Sequence, residues 1–244
     1  MVYTTARRCV ARKRGNSADS RADLLNAAWQ LMLEQGASAL SVEAIVGRAG
    51  LSKGTFFHFF PTKQALLDSL CDRIADEAWR DVGPVFDRTD LSPLERLDEY
   101  LRVSRAWRLE RSRAIGVLWR ELGQEDSAIL MNKVRALTVD RLTPLLADII
   151  AEGKRLGQLH VDDEVVVARL LLEWLHASVE GTMRLLAERA GADPIDLALR
   201  RANATLATTE RVLGAPEGSL HRVSRSDVEL VAGNMPRDQL RVPR

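Results

Sequence analysis

Two short helical patterns joined by a glycine turn constrain the fold of this chain more than any other feature. Apolar residues repeat at helical spacing through "VEAIVGRA" (42–49), Ser41 precedes them as a capping residue, and Gly50 can end the helix in the left-handed conformation. The same order of signals restarts at Ser52, before "KGTFFHFF" (53–60). A short helix, a three-residue turn and a second short helix are typical of a helix-turn-helix.

The rest of the chain also shows helical periodicity, beginning with a well-defined amphipathic helix from Leu24. Capping and stop signals predict further helices from Thr62 to Gly83–Pro84, from Ser92 to about residue 111, and shortly after it. Later helices are predicted over about 126–155, from Asp162 or Asp163 to about 190, and from Asp193 to about 213. The sequence therefore predicts an all-α fold of about nine helices.

Composition and motifs exclude several classes of protein. The chain has 244 residues, of which 46% are hydrophobic, enough for one large or two modest domains. The longest apolar run, at 165–175, contains two charged residues, and the N-terminus lacks the apolar stretch of a signal peptide, so we expect a cytoplasmic protein without a membrane partner. Isolated cysteines and scattered histidines match no metal or catalytic motif, which predicts a non-enzyme without cofactor or metal.

Positive charge is concentrated near the helix-turn-helix, although the net charge is only +1. Residues 7–14 contain five basic side chains, and between Glu43 and Asp68 there is no carboxylate. Lys63 lies in the first turn of a helix that Thr62 can cap, where a cation is unfavourable for the helix dipole. A helix N-terminus with a lysine forms an anion site, which favours a phosphate partner.

Four of the five phenylalanines of the chain lie between residues 56 and 60. Helical geometry places Phe56, Phe59 and Phe60 within one apolar arc, with Thr55 and His58 on the opposite side and Phe57 between. We expect the arc to anchor a helix that is too short to be stable without packing.

The segment "SVEAIVGRAGLSKGTFFHFFPTKQALL" resembles the DNA-binding domain of the TetR family of bacterial transcriptional regulators, and the resemblance spans Arg21 to Leu70. The residues that match the family pattern in register are Gly50, Ser52, Gly54, Thr55, Phe60, Thr62, Lys63 and Leu66. One position departs from it, because Phe57 stands where the family usually has a tyrosine whose hydroxyl contacts a DNA phosphate.

The resemblance implies that the helix of residues 52–60 enters the major groove of DNA. Lys53, Thr55 and His58 would then read base edges, and Ser41, Val42 and Lys63 would contact phosphates. The full set expected at the DNA is Ser41, Val42, Ser52, Lys53, Gly54, Thr55, Phe57, His58, Phe59 and Lys63. The basic arm would either reach the minor groove or add affinity by counterion release.

The resemblance also implies a domain organisation. Residues 1–19 would form a basic flexible arm, 20–66 the DNA-binding domain with its helix-turn-helix at about 41–60, and 67–213 a ligand-binding and dimerisation domain. The tail at 214–244 lacks sustained helical periodicity, which predicts a disordered or loosely docked segment. In the family the last two long helices pair across a two-fold axis. The sequence is compatible with such a homodimer, because large and small residues are mixed at helical spacing at Val166, Leu170, Trp174, Ala177 and Gly181.

A ligand cavity in the C-terminal domain is a further implication of the resemblance. The residues expected to line it are Trp107, Trp119, Glu121, Met131, Trp174, His176 and Met183, with Glu121 or Arg120 as a polar anchor. Ordinary core or interface roles are the alternative for most of these side chains.

These observations predict a DNA-binding transcriptional regulator, a repressor that a small-molecule effector releases from a palindromic operator. A transcriptional activator is one alternative. The other is a dimeric helical interaction module that has kept the fold without DNA binding, and Phe57 is the residue that favours it.

Overall fold

The structure is a computed structural model that describes residues 17–35, 39–111, 125–188 and 193–234. Within these ranges it contains nine helices and no strand, which confirms the all-α prediction. The helices are α1 (Ser17–Gln35), α2 (Val42–Ala49), α3 (Lys53–Phe59), α4 (Lys63–Phe86), α5 (Pro93–Glu110), α6 (Glu125–Arg155), α7 (Glu164–Glu188), α8 (Pro194–Leu213) and α9 (Arg225–Asn234).

Side-chain caps fix the starts of helices α2, α3 and α4. The hydroxyls of Ser41, Ser52 and Thr62 each accept a hydrogen bond from the backbone N–H three residues further on, at 3.1, 3.0 and 3.1 Å. Gly50 ends α2 at φ 65°, in the left-handed region that glycine adopts without steric cost. The predicted caps and turn of the helix-turn-helix are confirmed.

Helices α1–α4 enclose the first hydrophobic core. Phe56 and Phe60 are fully buried in it, beside the apolar face of α1 that begins at Leu24. The core extends along α4 as far as Ile74, beyond the domain boundary expected at residues 66/67. Helix α4 therefore belongs to both parts of the molecule, because its later residues Val82 and Val85 pack in the second core.

Helices α4–α8 form the second core, in which α6 packs on α4, α5 and α7, and α7 packs on α8. The end predicted for α4 at Gly83–Pro84 is wrong, since the helix continues to Phe86. Gly83 allows the Trp79 ring to pack closely, because a Cβ at this position would lie 2.7 Å from that ring. Burial of Val85 holds the last turn despite the N–H that Pro84 lacks.

Of the two alternatives predicted for the tail, docking rather than disorder describes residues 214–234. Leu220 is buried in the second core, and α9 buries Val228 and Val231 against α7 and α8. The buried Glu210 carboxylate accepts hydrogen bonds from the Arg222 guanidinium at 2.7 and 2.9 Å. Long-range contacts order this segment, and local periodicity does not reveal them. Residues 235–244 and the arm up to residue 16 lie outside the described ranges.

None of the helices within the described ranges is both long and apolar enough to cross a bilayer.

Candidate nucleic-acid interface and cavity

Helix α3 is anchored by Phe56 and by Phe60, the residue that caps its C-terminal end. The rings of Phe56 (0% exposed) and Phe60 (2%) lie 5.8 Å apart in the first core, and the Arg21 guanidinium of α1 lies 5.3 Å from the centre of the Phe60 ring. Phe59 is only half-buried, and its ring makes an edge contact with His58 at 4.8 Å. A helix of seven residues is not stable alone, so this anchoring fixes its position.

The opposite face of α3 is open to solvent. Lys53, Gly54, Phe57 and His58 are exposed, and the Phe57 ring is 50% exposed although its edge touches Phe56. Thr55 is half-buried, with its Oγ1 2.9 Å from the Oγ of the capping Ser52. The face thus presents a cation, an imidazole and an unusually exposed aromatic ring.

Two carboxylates lie next to this basic surface, and the linear sequence did not show them there. The Lys53 ammonium forms an ion pair with Glu43 in the first turn of α2, and Arg48 donates two hydrogen bonds to Glu34 of α1 at 2.6 and 2.7 Å. Hydrogen bonds from these cations lower the pKa of Glu43 and of Glu34. Residues 44–67 contain no carboxylate, but Glu34 and Glu43 from outside this segment neutralise two of its cations in the folded protein.

The ion pair between Lys53 and Glu43 brings the first turns of α2 and α3 together. Ser41 is exposed beside it and Val42 is half-buried, while Lys63 is half-buried in the first turn of α4. The residues expected at the DNA thus come from the starts of three consecutive helices. Ser52 and Gly54 are exposed on α3 between them.

A cavity of about 510 Å³ lies between the first core and the C-terminal helices. Three tryptophans from different elements, Trp29 of α1, Trp79 of α4 and Trp107 of α5, line it together with Tyr100. Its volume is within the range of small-molecule sites, roughly 300–1,000 Å³. Aromatic walls of this kind suit a ligand with a large apolar part.

Four of the residues expected in a pocket line this cavity: Trp107, Met131, His176 and Met183. Trp174 does not, because it lies on the outer face of α7 and is 37% exposed. Trp119 and Glu121, together with Arg120, fall in residues 112–124, outside the described ranges.

Sequence reasoning missed the most unusual polar group of the cavity, Arg108. Its guanidinium lines the cavity, and burial lowers its pKa from the ordinary value. His176 lies near it, with Nδ1 2.8 Å from the carbonyl oxygen of Leu172. Burial lowers the pKa of His176, and the charges of Arg108 and Arg135 lower it further. In the sequence Arg108 looks like any exposed arginine of an amphipathic helix.

The cavity is in direct contact with the helix-turn-helix part of the chain. Trp29 of α1 and Ile74 of α4 line the cavity and also belong to the first core. Ion pairs from Lys133 to Asp68 (2.5 Å) and from Arg141 to Asp76 (3.0 Å) hold α6 against α4 on the way between the two regions.

A helix-turn-helix with an exposed second helix, joined to a helical domain that surrounds a cavity, defines a helix-turn-helix DNA-binding regulator. Residues 24–70 match the family model described as "Bacterial regulatory proteins, tetR family". Residues 24–70 are thus similar to the DNA-binding domain of the TetR family of bacterial transcriptional regulators, and the all-α fold around them is TetR-like.

Individual relatives are distant. The chain is 23% identical over 176 residues to the HTH-type transcriptional repressor DhaR of Mycobacterium sp. (strain GP1), covering 72% of this chain and 86% of DhaR. The solved structure of regulatory protein TetR from Rhodobacter sphaeroides aligns with a TM-score of 0.54 at 21% identity, over 80% of this chain and 98% of that one. FadR of Thermus thermophilus, solved in complex with lauroyl-CoA, aligns with a TM-score of 0.52 at 21% identity, over 77% and 93%.

Proposed function

We propose that this protein is a repressor that binds a palindromic operator as a homodimer and is released from it by a small-molecule effector. One observation carries the proposal: the cavity that would bind the effector is walled partly by α1 and α4 of the DNA-binding domain. A ligand in the cavity therefore contacts the same helices that position α3.

At the DNA, α3 occupies the major groove and its exposed face reads the bases. Lys53 donates to guanine, Thr55 contributes a hydroxyl and a methyl group, and His58 reaches a base edge. Phe57 cannot donate a hydrogen bond to a phosphate, and its exposed ring packs instead on a sugar or a thymine methyl group. Phosphates are contacted from Ser41, Val42 and Lys63.

The homodimer forms through α7 and α8. Val166, Leu170 and Trp174 follow each other at intervals of four residues along the exposed side of α7, and Leu170 is 58% exposed. Such a row of large apolar side chains is a typical interface feature. A two-fold axis through it would present two α3 helices to successive major grooves of a palindrome.

Release requires that the effector binds the DNA-free arrangement of the domains more tightly than the DNA-bound one. Such a difference arises if occupation of the cavity changes the angle of α4 relative to α6. FadR of Thermus thermophilus binds lauroyl-CoA in a related fold, which supports a ligand in this cavity as well.

The proposal is tested by selecting binding sites from random duplexes and titrating the best site with salt. We expect a palindromic consensus and an affinity that falls steeply as the salt concentration rises. Undetectable binding at low salt would favour the interaction module without DNA binding, and a reporter gene that is activated by the protein would favour an activator.

Leu170→Glu tests the dimer. We expect this variant to be monomeric by analytical ultracentrifugation and to bind the operator weakly, because a charge in an apolar interface is unfavourable. Leu230→Glu on α9 is the matched control, since Leu230 is exposed to a similar degree and lies outside the row of apolar side chains on α7. A dimer that persists in Leu170→Glu would contradict this interface.

A further inference from the structure

The charged side chains that line the cavity are mostly positive. Within the described residues, six arginines and two carboxylates line it: Arg105, Arg108, Arg111, Arg135, Arg141 and Arg184 against Glu180 and Asp227. Carboxylates neutralise three of these arginines, through the pairs Arg111 with Asp81, Arg141 with Asp76, and Arg184 with Glu180. The other three, Arg105, Arg108 and Arg135, have no carboxylate within 4.0 Å in the described part of the chain.

Arg108 differs from the other two arginines because it forms no hydrogen bond or ion pair within the described residues, and only the nearby Tyr100 interacts favourably with its charge. Arg105 approaches the carbonyl oxygen of His221 at 3.4 and 3.5 Å, and Arg135 donates to the Asn132 side chain at 3.2 Å. An arginine remains protonated inside a protein, so its charge must be balanced or its burial is costly. Arg108 is thus a half-buried cation that lines the cavity without a carboxylate partner among the described residues.

His176 adds a second polar group to the same part of the cavity. Its Nδ1 lies 2.8 Å from the carbonyl oxygen of Leu172, which can only accept, so Nδ1 carries the proton. The ring is close enough to both Arg108 and Arg135 for their charges to act on it. A negative group placed here would be attracted by both guanidiniums and would favour protonation of His176 at Nε2.

The remaining walls are apolar and aromatic. Trp29, Trp79 and Leu101 face the space that Arg108 borders, and hydrophobic side chains from α6, α7 and α9 complete it. Binding a small inorganic anion would leave most of this surface without contacts. The walls therefore fit an amphipathic molecule better than a bare ion.

We propose that the effector of this regulator is an organic anion, with one acidic group bound by Arg108 beside His176 and an apolar body packed against the tryptophans of the cavity. This inference rests on the proposed function, because it names the chemical class of the ligand in the same cavity. A carboxylate suits this site because it can accept two parallel hydrogen bonds from one guanidinium.

Two fluorescent probes test the role of the charge. 8-Anilino-1-naphthalenesulfonate and N-phenyl-1-naphthylamine share one ring system, and only the first carries an acidic group. We expect Arg108→Met to weaken binding of the sulfonate by about 10- to 100-fold and to leave the neutral amine within about threefold, as for the loss of one partner of a desolvated ion pair. Equal effects on both probes would overturn the inference.

Arg102→Met is the matched control, because Arg102 lies on the same helix, is exposed and pairs with Glu99 outside the cavity. It should bind both probes as the unmodified protein does. The melting temperature of the ligand-free Arg108→Met variant is an independent readout. We expect it to be unchanged or raised, since the substitution removes a half-buried charge without a carboxylate partner, and a marked fall would mean that Arg108 is already paired.

Competition compares a carboxylate with a neutral compound of nearly the same shape. We expect 2-naphthoate to displace the sulfonate probe at least tenfold more effectively than the neutral 2-naphthamide of nearly the same shape. Equal displacement by both compounds would overturn the proposed anion selectivity.

Measuring probe binding without DNA separates this inference from the proposed function. If 2-naphthoate binds through Arg108 and the operator affinity does not change, the anion site stands and the release mechanism fails. If only neutral compounds release the operator, the release mechanism stands and the anion inference fails.

Discussion

The DNA-binding core and the cavity region differ in how fully they are packed and in whether their cations are paired. Under α3, Phe56 and Phe60 fill the available space, and the neighbouring cations Arg48 and Lys53 each have a carboxylate partner. Around the cavity, helices leave about 510 Å³ open and Arg108 without a carboxylate among the described residues. Close packing and paired charges stabilise a fold, whereas open space and an unbalanced buried charge destabilise it.

This contrast indicates a division of roles between the two regions. The first core holds a very short helix at one position, which recognition of a base sequence requires. The second region gives up part of its stability to keep space and charge available for a ligand.

Substitution of two adjacent phenylalanines tests how much the first core depends on close packing. Phe56→Ala should lower the free energy of unfolding by about 3–5 kcal/mol, because it leaves a cavity where the ring was buried. Phe57→Ala, at an exposed ring, should change it by only about 0.5 kcal/mol. Urea denaturation followed by circular dichroism measures both, and similar losses would contradict the assignment of one ring to the core and the other to the surface.

The second region also contains one tightly paired charge, at Glu210. Its carboxylate is buried and accepts hydrogen bonds from the Arg222 guanidinium and from the backbone N–H of Leu220. The second bond, from Leu220 N to Glu210 Oε1, is 2.8 Å long. Glu210→Gln should lower the free energy of unfolding by about 2 kcal/mol, less than for a fully buried pair because Arg222 is one-third exposed. It should also speed proteolysis within residues 214–224.

Glu229→Gln is the control for this prediction, because Glu229 forms an exposed pair with Arg225 on α9. Such a pair contributes less than about 1 kcal/mol. If the two variants were equally stable, the buried pair would not be what holds the C-terminal segment in place.

Substitution of two lysines distinguishes contacts with DNA phosphates from contacts with base edges. Lys63→Ala should weaken binding to all duplexes alike, whereas Lys53→Ala should relax specificity at one or two base positions, by about 1–3 kcal/mol in each case. His58→Ala should resemble Lys53→Ala. Affinities for the selected operator and for random DNA provide the comparison, and equal losses on both for all three variants would contradict these roles.

The smallest expected effect is a pH dependence that originates in the cavity region. Burial lowers the pKa of His176 from its ordinary 6.5, with a further contribution from Arg108 and Arg135. The unfolded chain therefore takes up a proton near pH 6.5 that the folded protein does not, and stability should fall as the pH drops below about 6.5. Among the described residues, no acidic side chain contributes to this shift in the pKa of His176.

Comparing the pH dependence of the free energy of unfolding between the unmodified protein and His176→Gln measures this effect. The difference between the two curves should change between pH 7 and pH 5. Parallel curves would show that His176 is not buried as a neutral imidazole, and the contrast between the two regions would then be weaker.

The helix-turn-helix could be predicted from the sequence because its signals are local. A capping serine acts on a backbone N–H three residues away, Gly50 acts on its own turn, and the phenylalanine pattern needs only helical geometry. The pairing of Glu43 with Lys53 could not be predicted, because it depends on the angle between α2 and α3.

The cavity and the C-terminal segment were less accessible to sequence reasoning. Met131 and Met183 were expected at the cavity and do line it, but Trp174 is equally apolar and faces outward, since periodicity does not tell which partner covers a helix face. The role of Arg108 depends on the helices around it. The segment that leads into α9 depends on contacts of Arg222 and Val223 with the distant residues Glu210 and Asn203.

Helix α4 has a mechanical consequence that follows from its length. Its 24 residues span about 36 Å at roughly 1.5 Å per residue, with one end under the helix-turn-helix and the other at the cavity. If this rod turns by about 5° around its Phe86 end, simple geometry moves Lys63 by about 3 Å, close to the roughly 3.4 Å rise of one nucleotide along a DNA strand. A change at the cavity that is too small to rearrange any core is thus large enough to move α3 out of register with its bases.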